Sequence, residues 1–154
     1  MKYIKITSIF LLVLLTFSSC ITTKTRLGRE CRKEIRTELK KYSDVLDLRR
    51  SKVNPYGGEY SLAPTMPSIS IGLYVKPIHY NRETLIELSN KLIDFFNNDF
   101  FIDNEIVRKW GNGFNVSISF VLKEGEKHNI YYRVEYRGGE WMEKWYEIPY
   151  LYRH

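Results

Sequence analysis

Regular alternation of apolar and polar residues in the last third of the chain constrains the fold most. Apolar side chains recur at every second position along residues 114–122 and again along residues 130–136. Such alternation is typical of a strand with one buried face and one solvent face. A charged turn, KEGEKH, separates these two runs, and Gly138-Gly139 separates the second from a last apolar run that ends near residue 148. The sequence therefore predicts an antiparallel meander of three strands.

The chain before the meander shows the periodicity of two helices and one more strand. Residues 26–48 carry an apolar residue at every third or fourth position, and so does the segment after Asn81, a residue type that caps helices. Residues 51–67 contain three prolines and two glycines and predict a loop or extended segment, whereas residues 68–76 alternate as a strand. We therefore expect an α+β domain with two helices packed on an antiparallel sheet of about four strands, including the C-terminal three-strand meander.

The last hairpin can adopt two registers, and burial is the criterion that separates them. A two-residue Gly-Gly loop pairs Tyr136 with Trp141 but places Glu143 on the apolar face of the strand. A shift by one residue pairs Tyr136 with Met142 and brings Ile148 onto the buried face instead. We predict the shifted register, with a glycine bulge, because it keeps Glu143 off the core side.

The first twenty residues have the pattern of an export signal. Lys2 and Lys5 provide positive charge, and residues 6–17 are largely apolar. This apolar stretch is too short to cross a hydrocarbon core, which needs about 20 helical residues. Two small serines follow it, directly before Cys20, as expected near the cleavage site of a signal peptide.

The tetrapeptide Phe17-Ser18-Ser19-Cys20 resembles the lipobox of bacterial lipoproteins. In that family the cysteine is lipidated on its sulfur, and the signal is removed just before it. The resemblance implies a signal peptide over residues 1–19, a lipidated tether that begins with Cys20 over residues 20–25, and a single α+β domain over residues 26–154. Because lipoproteins carry two or three acyl chains, the implied anchor is durable.

The resemblance also implies an address in the bacterial cell. A lipidated Cys20 places the domain in the cell envelope, attached to a membrane and facing the periplasm or the cell exterior. Ile21 follows the cysteine, in place of the Asp that retains such proteins at the inner membrane. This favours the outer membrane in a cell that has one.

Positive charge is concentrated beside the implied anchor. Residues 21–60 hold eleven Lys or Arg and six Asp or Glu, whereas residues 61–154 hold eleven and twelve. One interpretation is a basic helix that lies against anionic headgroups. The other is a solvated helix with ion pairs at helical spacing, which the acids Glu30, Glu34 and Glu38 favour. We expect no nucleic-acid partner, because no recognition motif accompanies the charge.

Cys31 is the second of two cysteines in the chain. If Cys20 carries the lipid, Cys31 has no partner for an intrachain disulfide. Its alternatives are an intermolecular disulfide and a small buried residue on the apolar side of a helix, and we favour burial.

No motif for catalysis or metal binding stands out in the sequence. The three histidines, His79, His128 and His154, do not occur at metal-ligand spacing, and no G-x-S-x-G nucleophile motif is present. We therefore expect a protein that is not an enzyme and holds no cofactor or metal. The alternative is a hydrolase of unrecognised type.

Aromatic residues suggest where a partner binds. In the shifted register, five residues share the face of the meander that does not line the core: Tyr131, Arg133, Arg137, Trp141 and Trp145. Aromatic and Arg side chains dominate binding hot spots, although a covering helix or local Arg–Trp stacking would also explain this face. The sequence favours a non-enzymatic envelope lipoprotein that binds another macromolecule, as an assembly accessory or an immunity-like inhibitor. The alternative is a carbohydrate-binding lipoprotein that uses the same face.

Overall fold

The computed structural model describes residues 29–56, 68–103 and 113–151. The described part of the chain begins with helix α1, residues 29–39, which continues as the 3₁₀ turn Lys40–Tyr42. The predictions for the signal peptide and the lipidated tether lie outside the described residues.

Helix α1 ends earlier than the periodicity over residues 26–48 predicts. After Tyr42 the chain turns, and Leu46 forms an isolated antiparallel bridge with Val75. The backbone N–H of Asp47 donates to the carbonyl of Tyr74 at 2.8 Å. Leu46 is nevertheless buried in the core. Its spacing of four from Tyr42 therefore indicates burial correctly, although the backbone between the two residues is a turn.

Five strands form one mixed sheet. Their bounds are Lys52–Tyr56 (β1), Ser68–Tyr74 (β2), Asn115–Glu124 (β3), Lys127–Arg137 (β4) and Glu140–Leu151 (β5). The spatial order follows the chain order, and all neighbours are antiparallel except β2 and β3, which are parallel. The α+β class and the meander β3–β5 are confirmed. The sheet has five strands where about four were expected, and the expectation of an antiparallel sheet is wrong for one pair, β2 and β3.

The additional strand, β1, lies within the segment that was expected to be a loop or extended. Pro55 lies in β1 and has no N–H to donate to a neighbouring strand. A proline is tolerated here because, among the described strands, β1 lies at an edge and pairs only with β2. The parallel pairing of β2 with β3 follows from the helix between them, since parallel neighbours need a long crossover connection.

The second long helix, α2, spans Arg82–Phe95. It begins as the sequence predicts, with the Asn81 side chain accepting a hydrogen bond from the Thr84 N–H at 2.9 Å. Its stripe of apolar residues is buried: Leu85, Leu88, Leu92 and Phe95. The helix then widens into the π-helical segment Phe96–Phe100, followed by one α-helical turn, Phe101–Asp103.

The main core lies between the sheet and the two helices. Ile71, Ile118 and Val134 pair across β2, β3 and β4 and face this core. Cys31 is only 6% exposed and belongs to the same core, which agrees with the expectation of a buried residue. A small second cluster of buried residues contains Tyr74, Val121 and Ile130, and Tyr146 packs against it.

Replacing Asn81 tests the N-terminal cap of α2. Asn81→Ala removes the acceptor for the Thr84 N–H and should lower the free energy of unfolding by about 1 kcal/mol. Asn90→Ala is the matched control, because Asn90 is exposed within the same helix and alanine has the higher helix propensity there. Urea unfolding of the three proteins measures the difference. Equal losses for both variants would show that the cap contributes nothing specific.

Candidate functional site

The turn at Gly138-Gly139 sets the register of the last hairpin. Both glycines have positive φ, 65° and 95°, as a two-residue type I′ turn requires. Arg137 consequently pairs with Glu140, and Tyr136 pairs with Trp141. The predicted shifted register is therefore wrong.

The register was predicted wrongly because we expected burial of the Glu143 carboxylate to be unfavourable. In the observed register Glu143 pairs with Val134, whose side chain faces the core. β5 is an edge strand, however, and Glu143 remains exposed there. Its carboxylate keeps its contact with water, so the burial penalty that favoured the other register does not arise.

This register separates the five residues that were expected to share one face. Trp141 and Trp145 pair with Tyr136 and Tyr132, whose side chains pack with the core on the helix side of the sheet. Arg133 hydrogen-bonds to Ser119 and pairs with Lys144 in β5. Because neighbouring residues in a strand point to opposite faces, Arg133 and the two tryptophans lie on opposite sides. The predicted Trp–Arg surface is therefore not formed.

Arg137 and Tyr131 also lie apart from the tryptophans. Arg137 is exposed at the end of β4, where it pairs with Glu140. Tyr131 is beside the bulge in β4, and its hydroxyl donates to Glu124 at 3.1 Å. Its ring packs edge-on against Tyr80, at 6.1 Å between centroids. Burial raises the pKa of Tyr80 to about 12.

Trp145 packs between two side chains while 40% of its surface stays exposed. Its indole stacks on the ring of Tyr132, with 4.1 Å between centroids and 25° between planes. The Arg82 guanidinium lies over the indole, 5.1 Å from its centroid, which is cation–π geometry. A partner that binds this indole would therefore lose little side-chain entropy on ordering it.

Trp141 has a structural environment instead. Its indole N–H donates to the Asn97 side chain at 3.0 Å, just beyond the end of α2. Its ring also packs near Tyr136, Phe96 and Phe101. These contacts attach β5 to the helical segment, so we do not place Trp141 in a binding surface.

Exposed apolar side chains mark β5 as the candidate interaction surface. Among the described residues five large apolar side chains are exposed, and three of them lie on this strand: Met142 at 40%, Trp145 at 40% and Ile148 at 84%. We call this set, with the outward backbone of β5, the outer edge. Among the described strands β5 pairs only with β4, so no described strand occupies the backbone groups along its other side.

The outer edge was missed because the register was wrong. The shifted register placed Met142 and Ile148 on the buried face, whereas both are exposed. Between the pairs Tyr132–Trp145 and Ile130–Tyr150, β5 contains three more residues than β4, so the strand is irregular there. Glu147 and Pro149 lie within this stretch and are residue types that protect edge strands. They were the sequence feature that could have identified β5 as an exposed edge strand.

Arg133 belongs to an internal network on the opposite face of the sheet. Its guanidinium donates to Ser119 Oγ at 3.0 Å and to Glu135 at 3.4 Å, while Lys144 Nζ donates to Glu135 at 2.7 Å. Burial of the Glu135 carboxylate acts to raise its pKa, but Lys144 and Arg133 more than offset this effect and hold the pKa below its ordinary value. Arg133 is thus a structural residue here.

Comparisons with protein-family models, with curated proteins and with solved structures returned no match. Within residues 29–56, 68–103 and 113–151, no group of three or more His, Cys, Asp or Glu side chains is arranged to hold a metal ion. No helix in the described parts of the chain combines the length and the apolar character needed to cross a bilayer.

The ion pairs of Glu135 should make stability depend on pH. A lowered pKa in the folded state stabilises the fold above the unfolded-state pKa, and this contribution is lost as the pH falls through the folded-state pKa. Glu135→Gln should therefore lower the free energy of unfolding by about 1 kcal/mol at neutral pH. The difference from wild type should narrow as the pH falls below 4.5, the ordinary value.

Glu87→Gln is the matched control for this pH series. Glu87 pairs with Lys91 at 2.6 Å, but both side chains are exposed, so its loss should change stability little at any pH. Denaturant unfolding at several pH values measures all three proteins. A Glu135→Gln effect that stays constant with pH would contradict the charge-based explanation.

Proposed function

We propose that this protein is a lipid-anchored envelope lipoprotein, not an enzyme, that binds another envelope protein along the outer edge. The single observation that carries the binding proposal is the concentration of exposed apolar side chains on β5. Assembly accessory and immunity-like inhibitor are the two roles that fit a tethered domain of this kind.

The anchor rests on the sequence of the first twenty residues. A positive start, a short apolar stretch and the tetrapeptide that ends at Cys20 together resemble the signal of bacterial lipoproteins. Acylation of Cys20 would hold the domain at a membrane, where a partner of the same compartment meets it at high effective concentration.

The outer edge suits the addition of a partner strand. An extended segment that pairs with β5 gains main-chain hydrogen bonds, and alternate side chains of that segment supply specificity. Trp145 lies on one face of β5 and Met142 on the other, because the two are an odd number of residues apart in the regular part of the strand. A partner strand would therefore bury apolar surface on both faces at once.

The carbohydrate-binding alternative depended on an aromatic and basic face of the meander that the structure does not form. It required Trp141, Trp145 and the two arginines to share a face, and the observed register separates them. Binding of a glycan thus becomes an outcome of the experiment below, without a structural argument of its own.

Site-specific photo-cross-linking in the native cell tests the outer edge. A photoreactive residue in place of Ile148 should yield a protein adduct, because this side chain lies on the proposed partner surface. Ile78 is the matched control, since it is the same residue type with nearly the same exposure, 83% against 84%, but lies in the turn Pro77–His79. Adding Trp145→Ala should reduce the adduct at position 148.

The outcomes separate the alternatives. Equal adducts at positions 78 and 148, or an adduct that Trp145→Ala leaves unchanged, would contradict binding along β5. An adduct that migrates as a polysaccharide conjugate would favour the glycan alternative instead.

Metabolic labelling tests the anchor separately. Cells fed an alkyne analogue of palmitate should label the wild-type chain, and Cys20→Ser should abolish the label. Cys31→Ser is the matched control and should retain it, because Cys31 is buried in the core. Labelling that survives Cys20→Ser would show that the lipobox resemblance is misleading.

A further inference from the structure

The charged residues of α1 are divided between two sides of the helix. Successive residues in an α-helix are rotated by about 100°, so residues four apart lie close together on one side. Glu30, Glu34 and Glu38 follow this spacing and form an acidic side. Five cations lie together within about 100° of arc on another side. They are Arg29, Arg32, Lys33, Arg36 and Lys40.

The acidic side faces α2. Glu30, Glu34 and Glu38 line an open groove together with Phe95, the last residue of that helix, and the cations Lys33 and Lys41 line the same groove. Glu38 is buried there and accepts hydrogen bonds from Lys41 at 2.6 Å and from Tyr42 at 3.0 Å. Burial, reinforced by Glu38, raises the pKa of Tyr42 to about 12. The hydrogen bonds of Glu38 thus come from the turn that follows α1.

The cationic side of α1 lies beside β1, the first strand in the order of the described sheet. Arg32 Nε donates to the Val53 carbonyl at 3.0 Å, which brings the helix against this strand. Lys52 is exposed on β1, and Arg49 is exposed in the turn before it. Arg36 is also exposed. We call this surface the basic side; its members are Arg32, Lys33, Arg36, Lys40, Arg49 and Lys52.

Only the first described segment, residues 29–56, carries a net positive charge. Residues 29–52 hold nine Lys or Arg and five Asp or Glu. Residues 68–103 hold three against five, and residues 113–151 hold five against six. The excess of cations therefore lies in the described segment nearest Cys20 in the sequence.

We propose that the basic side lies against a bilayer surface that contains anionic phospholipid. This inference rests on the lipid anchor of the proposed function, and it adds that the anchored domain has a defined orientation relative to the membrane. Eight residues lie between Cys20 and Arg29, so even a fully extended tether of nine Cα–Cα steps spans at most roughly 30 Å. A lipidated Cys20 consequently keeps α1 within reach of the membrane. Cations near such a surface each strengthen association roughly fivefold at low salt.

Energy transfer to lipid headgroups tests the orientation with the full lipidated chain. The chain is reconstituted into vesicles that carry an acceptor dye on their headgroups, either neutral phosphatidylcholine alone or with phosphatidylglycerol. A donor dye is placed at Lys40→Cys on the basic side or at Asn90→Cys on the exposed part of α2. Transfer from position 40 should rise in phosphatidylglycerol vesicles and fall to the neutral level at high salt. Transfer from position 90 should not rise.

Charge reversal supplies matched variants. Lys33→Glu combined with Arg36→Glu should remove the rise in transfer at position 40. Lys91→Glu combined with Lys123→Glu makes the same change in net charge at exposed sites away from α1 and should leave the rise intact. If both double variants behave alike, net charge and not the basic side explains the result, and the proposal is overturned.

The remaining outcomes distinguish this proposal from the proposed function. If the chain associates with vesicles but energy transfer from position 40 is the same with and without phosphatidylglycerol, the proposed orientation is overturned. The proposed lipid anchor is then unaffected. No association with either kind of vesicle would overturn the anchor and the orientation together. Neither result bears on the cross-link at position 148, which reports the outer edge alone.

Discussion

Tyr132 is the residue on which the arrangement of sheet, helix and outer edge depends. Its fully buried ring lies between Phe120 of β3 and Trp145 of β5, with 5.2 and 4.1 Å between centroids. Its hydroxyl shares a hydrogen bond of 2.9 Å with Ser89 Oγ, so the side chain also ties β4 to α2. Without this ring Trp145 would lose the aromatic surface on which it stacks, since no described strand lies beyond β5 to replace it. The same packing thus builds the core and holds the exposed indole in place.

The sequence predicts most of the fold because the apolar pattern reports burial directly. The stripe from Leu85 to Phe95 and the alternation in β3 both lie on the core side of their elements. The helix end and the first strand escaped prediction for a shared reason. Leu46 and Val53 are buried by tertiary contacts with the β2 region, and local periodicity does not show which backbone conformation achieves that burial.

The candidate surface was less predictable than the fold, because it depends on register. A one-residue slip in β5 exchanges the two faces of the strand, so an error at Gly138-Gly139 moves every later side chain. The turn chemistry, a Gly-Gly pair that suits a type I′ turn, was the better guide, and the argument against burying Glu143 was the weaker one. A charge on the inward face of a strand is informative only where that strand is covered on both sides. Edge strands carry such charges as protection against unwanted pairing.

The order of strands relates the two proposed surfaces to each other. β1 and β5 are the two edges of the five-strand sheet, four spacings apart, which is roughly 19 Å at about 4.8 Å per spacing. The basic side of α1 adjoins β1, whereas the exposed apolar side chains belong to β5. A domain that rests its basic side on a membrane therefore presents the outer edge away from it. The two proposed contacts, of the basic side with lipid and of the outer edge with a partner strand, would use opposite edges of one sheet. The first would therefore orient the domain for the second without competing for its surface.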